Sequence, residues 1–296
     1  MMHPDEVHID VALVRRLLAA QFPQWSALPL ERVQPMGTDN ALYRLGDDMV
    51  VRLPRREQSV APLEKELRWL PRLAQFLPLA VPLPLAAGEP GEGYPLRWAI
   101  YRWLAGETAT DARIDDLAQA ARDLALFVAS LQRIDPAHGP TPGGHNVGRG
   151  QPLQRRDAAT RAAIDALRSE IDADAVSEIW EEALHASEWS RSGVWLHGDL
   201  DARNLLVVDG KISAVLDFGT LGVGDPAAEV MVAWKVFDAQ SRDIFRSSLD
   251  VDDATWTRAR AWAVSQAVIA LAYYTPDTNA VLVGEARRWL AEALGG

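Results

Sequence analysis

The chain has 296 residues, 48% hydrophobic and 24% charged, a balance that excludes a disordered protein and is long enough for two lobes. It has no cysteine, so disulfides, zinc–thiolate sites and thiol nucleophiles are excluded. The net charge of −11 is uneven: residues 1–105 hold 12 acidic and 12 basic side chains, whereas residues 106–296 hold 29 and 18. An acidic second part repels nucleic-acid phosphates and anionic membranes and attracts cations. The opening MMHPDEVHID lacks the basic flank and apolar run of a signal peptide. The most apolar stretch, Phe76–Ala87, is broken by Pro78, Pro82 and Pro84 and is too short to span a bilayer. The expectation is a soluble, cytoplasmic protein with no nucleic-acid or membrane partner.

Asp10 is a good N-cap for a helix reaching Gln21, with Leu13, Val14, Leu17 and Leu18 on one stripe. Strand-like runs follow at Glu31–Met36, Ala41–Leu45 and Met49–Leu53, the last two joined by Gly46-Asp47-Asp48. Leu63, Leu67, Leu70 and Leu73 predict a helix from Ala61 to Phe76, and Leu96–Leu104 reads as another strand. Beyond Gly106 helical patterns dominate, at 114–134, 153–169, 174–189, 226–237, 252–272 and 279–294. Five Gly and three Pro among residues 135–150 mark a loop, and 194–218 reads as strand, loop and strand. The expected organisation is α+β, with a small sheet-rich lobe over residues 1–105 and a larger helical lobe over 106–296.

The densest chemistry lies in Val194–Pro226. Asp209-Gly210 is a two-residue turn signal that pairs Val208 with Lys211. Extending that register sets Asn204 opposite Val215, on the face that also carries Asp217. An amide and a carboxylate at the open end of a hairpin are hard oxygen donors, of which magnesium takes one or two from protein. Asp199 lies five residues before Asn204, where a carboxylate can take the proton of a hydroxyl attacking a metal-bound phosphate. The spacing H-G-D-x-x-x-x-N followed by D-F-G is the layout of a kinase catalytic loop and metal segment, with Gly198 in place of Arg.

His197-Gly198-Asp199 with Asn204, then Asp217-Phe218-Gly219 and Gly224-Asp225-Pro226, resembles the aminoglycoside phosphotransferase family, small-molecule kinases with a protein-kinase-like two-lobed fold. The resemblance covers most of the chain. It implies Asp199 as catalytic base, Asn204 and Asp217 as Mg2+ ligands, ATP or GTP as phosphoryl donor, and His197 as a brace for the loop. Gly37-Thr38-Asp39-Asn40 looks like the family's short phosphate loop, which makes Gly37 and Thr38 nucleotide contacts. Met49–Leu53 sits where the family has a strand lysine; the only lysines are Lys65, Lys211 and Lys235, so Arg52 is the cation there. Glu64 and Glu66 are both candidates to orient it, and the resemblance favours Glu66, because Leu70 and Leu73 follow it at the family's helical spacing. Ile100–Leu104 resembles the hinge that reads the adenine edge, which assigns Arg102 and Leu104 to the nucleotide. Glu229 follows G-D-P where the family commonly has Asp, and an acid there suits a helix N-terminus. The acidic second lobe suits a cationic, aminoglycoside-type acceptor; a macrolide, an amino alcohol or another metabolite is the alternative. Arg52 in place of lysine also fits a nucleotide-binding scaffold without turnover.

Overall fold

The structure is a computed structural model that describes residues 6–33 and 39–295. The architecture is α+β, and the chain divides into two compact units. Unit 1 holds the residues up to Gln75, Ala80–Gly106 and Ala214–Gly219; unit 2 holds Phe76–Leu79, Glu107–Ser213 and the chain from Thr220 onward.

Unit 1 opens with α1 (Val11–Gln21), whose first turn is closed by the Asp10 carboxylate accepting from the Leu13 N–H at 2.7 Å. There follow β1 (Leu30–Arg32), β2 (Asn40–Leu45), β3 (Met49–Pro54), α2 (Val60–Leu73), β4 (Pro84–Gly88) and β5 (Trp98–Arg102). The five strands make an antiparallel sheet in the order β1-β2-β3-β5-β4. The turn at Gly46-Asp47-Asp48 sets Leu45 opposite Met49, the register its three-residue length allows. Alternation along β3 sends Met49, Val51 and Leu53 into a core shared with Leu13, Val14, Leu17 and Leu18 of α1. Arg52 therefore faces the other way. Sequence patterning missed β4, because prolines punctuate it; Pro84 is tolerated as the first residue of an edge strand, where no ladder N–H is needed. The strand at Leu96–Leu104 is shorter than its apolar run, so Leu104 lies beyond β5. The predicted run at Glu31–Met36 continues past Arg32 outside β1, and its last three residues lie outside the described residues.

Unit 2 contains β6 (Glu107–Thr108), α3 (Leu117–Arg133), α4 (Asp157–Ala166), α5 (Ala173–His185), β7 (Val194–Leu196), β8 (Leu205–Val208) and β9 (Lys211–Val215), whose last two residues count with unit 1. It continues with β10 (Gly222–Gly224), α6 (Ala227–Val230), α7 (Val232–Val236), α8 (Ala239–Ser247), α9 (Asp253–Tyr273) and α10 (Pro276–Leu294). Helix α9 is the axle: it packs against α4, α5, α6, α7 and α10, and Ala261–Val268 is buried without interruption. A helix covered on all sides has no polar stripe to show. Trp180, Trp195, Trp234, Trp262 and Trp289 fill the surrounding core. The helix expected over 226–237 is two short ones meeting at Met231, and α8, whose sequence AQSRDIFRS is mostly polar, was not anticipated. Strands β7 and β10 pair antiparallel, while β6, β8 and β9 form a second small sheet. No helix among the described residues is long and apolar enough to cross a membrane.

Candidate active site

In unit 2 the segment from β7 to β8 carries the first motif, and its backbone is clamped at each step. The Glu229 carboxylate, wholly buried on α6, accepts from the His197 N–H at 3.1 Å and the Gly198 N–H at 2.8 Å. It stands in the first turn of α6, the helix N-terminus expected for it, and from there also holds this loop. Burial pushes its carboxyl up to about 7, against the two N–H donors that favour the anion. His197 is also wholly buried; its Nδ1 accepts from the Asp199 N–H at 3.2 Å and its carbonyl from Thr220 Oγ1 at 2.7 Å, so it braces rather than reacts. Gly198 has φ of +84°, and a Cβ there would meet the Thr220 carbonyl at 3.1 Å and the Arg149 side chain at 3.2 Å. Crowding and handedness together demand glycine. Gly224 of the third motif is required by close approach instead: a Cβ would lie 2.6 Å from the Gly150 carbonyl, which accepts from the Asp225 N–H. Asp225 in turn pairs with Arg258 of α9 at 2.9 Å.

Asp199 emerges from this clamped loop with its side chain 27% exposed. Among the described residues three cations surround its carboxylate: Lys235 Nζ at 3.7 Å and Arg149 Nη2 at 3.8 Å from Oδ1, and Arg203 Nη2 at 3.8 Å from Oδ2. Two residues on, Asp201 points inward and is wholly buried between Lys235 at 3.1 Å and Arg203 at 2.5 Å. Burial alone would raise its pKa, but Lys235 and Arg203 outweigh that and bring it down to about 2. Asn204 is not a strand residue, as the extended hairpin register supposed; it ends a short 3-10 turn, Ala202–Asn204, before β8 begins. The Asp201 carbonyl and carboxylate bond the N–H groups of Asn204 and Arg203, and that local alternative wins over ladder pairing. The Asn204 Nδ2 donates to the Asp199 carbonyl at 2.8 Å, which leaves Oδ1 as the oxygen the amide presents.

Unit 1 assembles the other charged group. Arg52 on β3 donates to Glu66 Oε2 on α2 at 2.6 Å, and the Tyr101 hydroxyl donates to the same oxygen at 3.0 Å. Glu66 is wholly buried and its Oε1 has no hydrogen-bond partner among the described residues. Burial opposes both charges; the Arg52 guanidinium nonetheless stays raised, because Glu66 and then Asp217 favour the cation, while burial pushes the Glu66 carboxyl up. Glu64, the other candidate, is exposed and bonds Arg97 at 3.3 Å. Asp217 takes φ of +58°, its side chain is 59% exposed, and its Oδ1 lies 3.8 Å from Arg52 Nη2 and accepts from the Gly219 N–H at 3.3 Å. The buried Lys65 of α2 donates to the Gly219 carbonyl at 2.8 Å, and burial draws its ammonium down to about 8 against the pull of Glu66 and Asp217. At the end of β5 the Arg102 N–H is already spent on the Leu83 carbonyl and the Trp103 N–H on that of Asp48. Gly37 and Thr38 lie outside the described residues.

Asn204 in unit 2 and Asp217 in unit 1 each present a hard oxygen, a donor type suited to magnesium, and no group of three or more histidine or acidic ligands exists among the described residues. Sequence reasoning missed Arg149, Asp201, Arg203 and Lys235 around Asp199. One signal was available: Lys235 is one of three lysines and interrupts the apolar run Met231–Phe237.

The profile of the phosphotransferase enzyme family matches residues 32–262. No curated protein sequence matches significantly. Among solved structures, the chain is similar to the GDP complex of wild-type aminoglycoside 2'-phosphotransferase-IIIa, with 16% identity and a TM-score of 0.70 over 97% of this chain and 99% of that one. It is similar to macrolide 2'-phosphotransferase MphH from Brachybacterium faecium, with 25% identity and a TM-score of 0.61 over 95% and 98%. A third similar structure is the streptomycin–ATP ternary complex of APH(2")-IIa, with 16% identity and a TM-score of 0.58 over 97% and 98%. The α+β fold is the kinase-like one of these proteins.

Proposed function

The chain belongs to the phosphotransferase enzyme family, and from that premise we propose that it moves the γ-phosphoryl group of ATP or GTP to a hydroxyl of a small molecule. The observation that carries this reading is the state of Asp199. Its carboxylate is part-exposed, and its three cations stand at 3.7 or 3.8 Å, beyond hydrogen-bond distance. Its lone pairs are therefore open to a proton while its charge is balanced. Asp199 orients the acceptor hydroxyl and takes its proton as the oxygen attacks. Asn204 and Asp217 would hold magnesium, which when bound neutralises charge on the donor phosphates. Arg52, oriented by Glu66, replaces the family's lysine as the phosphate-binding cation, and Gly37 and Thr38 form the loop over the phosphates. With the Arg102 N–H spent, its carbonyl and the Leu104 N–H are the hinge groups left to read the base.

The acceptor is proposed to be a cationic, aminoglycoside-type molecule, because residues 106–296 carry the whole net charge. A macrolide is the second reading, favoured by the 25% identity to MphH. The test is phosphate transfer from Mg-ATP and Mg-GTP to kanamycin, streptomycin and erythromycin, with and without added salt. A cationic acceptor should lose kcat/KM as salt screens the attraction; transfer only to erythromycin would favour the second reading. Asp199→Asn should lower turnover by about 10²–10⁴-fold with nucleotide affinity nearly unchanged. Near-normal turnover in that variant, or neither transfer nor nucleotide hydrolysis by the parent, would overturn the assignment.

A further inference from the structure

We propose that Lys235 is a positioning residue for the catalytic base, its ammonium holding the Asp199 carboxylate in its working orientation and balancing its charge from within the helical core. The inference rests on the reading of Asp199 as base.

Lys235 sits on α7 and is wholly buried. A buried ammonium is costly unless each of its donors is engaged. Nζ meets Asp201 Oδ2 at 3.1 Å and Gln266 Oε1 of α9 at 3.2 Å, and lies 4.2 Å from the ring centre of Trp289 of α10. Arg288, also on α10, donates to the Lys235 backbone carbonyl, fixing the stem as well. Two helices and the Asp201 loop thus pin one ammonium, and its remaining direction is toward Asp199 Oδ1 at 3.7 Å. That distance is an ionic contact and not a hydrogen bond, so it steadies the carboxylate without filling the lone pair that must receive the proton.

The two guanidiniums near Asp199 are committed elsewhere. Arg203 is bonded to Asp201, and Arg149 Nε donates to the Gly198 carbonyl at 2.8 Å. Lys235 is the most buried of the three cations, so its field is the least screened by solvent. A purely structural role is poorly served by such a group, because apolar side chains of similar volume stabilise a core as well as or better than a buried ion pair. What the pair adds is a charge of fixed position beside the base. Asp201, two residues beyond Asp199 and facing inward, is the anchor that aims it.

The test compares Lys235→Gln, which keeps a donor for Asp201, with the double variant Lys235→Met/Asp201→Asn, which removes the buried pair together; the Arg203 guanidinium it releases from Asp201 is part-exposed and stays 3.8 Å from Asp199. Hydrolysis of Mg-ATP and Mg-GTP and transfer to the acceptor panel are measured with thermal melts, and kcat and KM are resolved separately. Both variants should melt cooperatively, keep the parent's nucleotide KM and lose about 10²-fold in kcat. Asp201→Asn alone, which leaves Lys235 beside Asp199, should retain about tenfold more turnover than the double variant. Exposed Lys211→Met is the control, with parent turnover. Parent kcat in either Lys235 variant, or Asp201→Asn as slow as the double variant, overturns the proposal while the phosphotransferase reading stands. A parent chain that neither transfers nor hydrolyses phosphate overturns both.

Discussion

Arg52→Ala takes the cation away from a carboxylate that has no water to turn to. Glu66 is 0% exposed, its Oε2 holds Arg52 at 2.6 Å and Tyr101 at 3.0 Å, and its Oε1 already lacks a partner. Removing one member of a buried ion pair costs about 3–5 kcal/mol, because the survivor's charge stays desolvated. For a chain of this size each kcal/mol moves Tm by about 2–4 °C, so a fall of roughly 10 °C is expected. The double variant Arg52→Met/Glu66→Gln removes both charges and should regain most of that stability, since a neutral pair of similar volume does not need the missing partner. It should not regain turnover. Arg52→Lys keeps a point charge but loses the planar fork that spans Glu66 and Asp217, so partial turnover and intermediate stability are expected. Thermal melts followed by circular dichroism and nucleotide turnover on the same preparations provide the two readings. An Arg52→Ala protein with the parent's Tm and full turnover would refute the reasoning, placing the phosphate-binding cation elsewhere.

Asp217→Ala should weaken nucleotide binding only when magnesium is present, and Asn204→Ala should do so more mildly, because a carboxylate is the stronger ligand; calorimetry that finds both variants binding Mg-nucleotide like the parent would remove them as ligands. Glu229 makes the fold pH-sensitive. With its carboxyl raised to about 7, the folded chain keeps a proton that the unfolded chain releases near the ordinary 4.5, so stability declines as pH rises between those values and levels off above them. Melts from about pH 5 to about pH 8 should slope downward more in the parent than in Glu229→Gln, and equal slopes would count against it.

The motifs were legible in the sequence because their residues are bound by local backbone rules. Asp199 and Asn204 are joined by a short turn, Gly198 needs its left-handed φ, and Asp10 caps the helix that follows it at its first turn. Arg52 was legible on β3 because alternation turns it away from the buried Val51 and Leu53, whereas Glu66 was preferred over Glu64 as its partner only through the family resemblance. What escaped were the elements whose reason is tertiary. Strand β4 exists because β5 offers an edge, and α8 buries Ser241, Arg242 and Phe245 from a mostly polar sequence. The ionic cage of Asp199 draws Arg149 from a Gly/Pro-rich loop and Lys235 from a short helix, and no periodicity links residues so far apart. The hairpin register failed at Asn204 for the opposite reason: a local side-chain bond beat the long-range pattern.

The distribution of basic residues gives these choices a common physical reason. Of thirty lysines and arginines only three are lysines; Lys211 is exposed on β9, and the other two are buried against the motif segments. Lys65 caps the Gly219 carbonyl in unit 1, and Lys235 stands between Asp199 and Asp201 in unit 2. A compact ammonium with three rotatable donors suits an enclosed point where partners arrive from several elements, whereas a guanidinium needs a planar slot. At Arg52 such a slot exists, with Glu66 on one side, the Tyr101 ring 6.0 Å away and Asp217 on the other. Arginine there is therefore matched to its surroundings and is not a damaged lysine site. The same reasoning sets the order of sensitivity to exchange: Lys235→Arg must force a fork into a site shaped for a point charge, while Arg52→Lys merely under-fills one shaped for a fork.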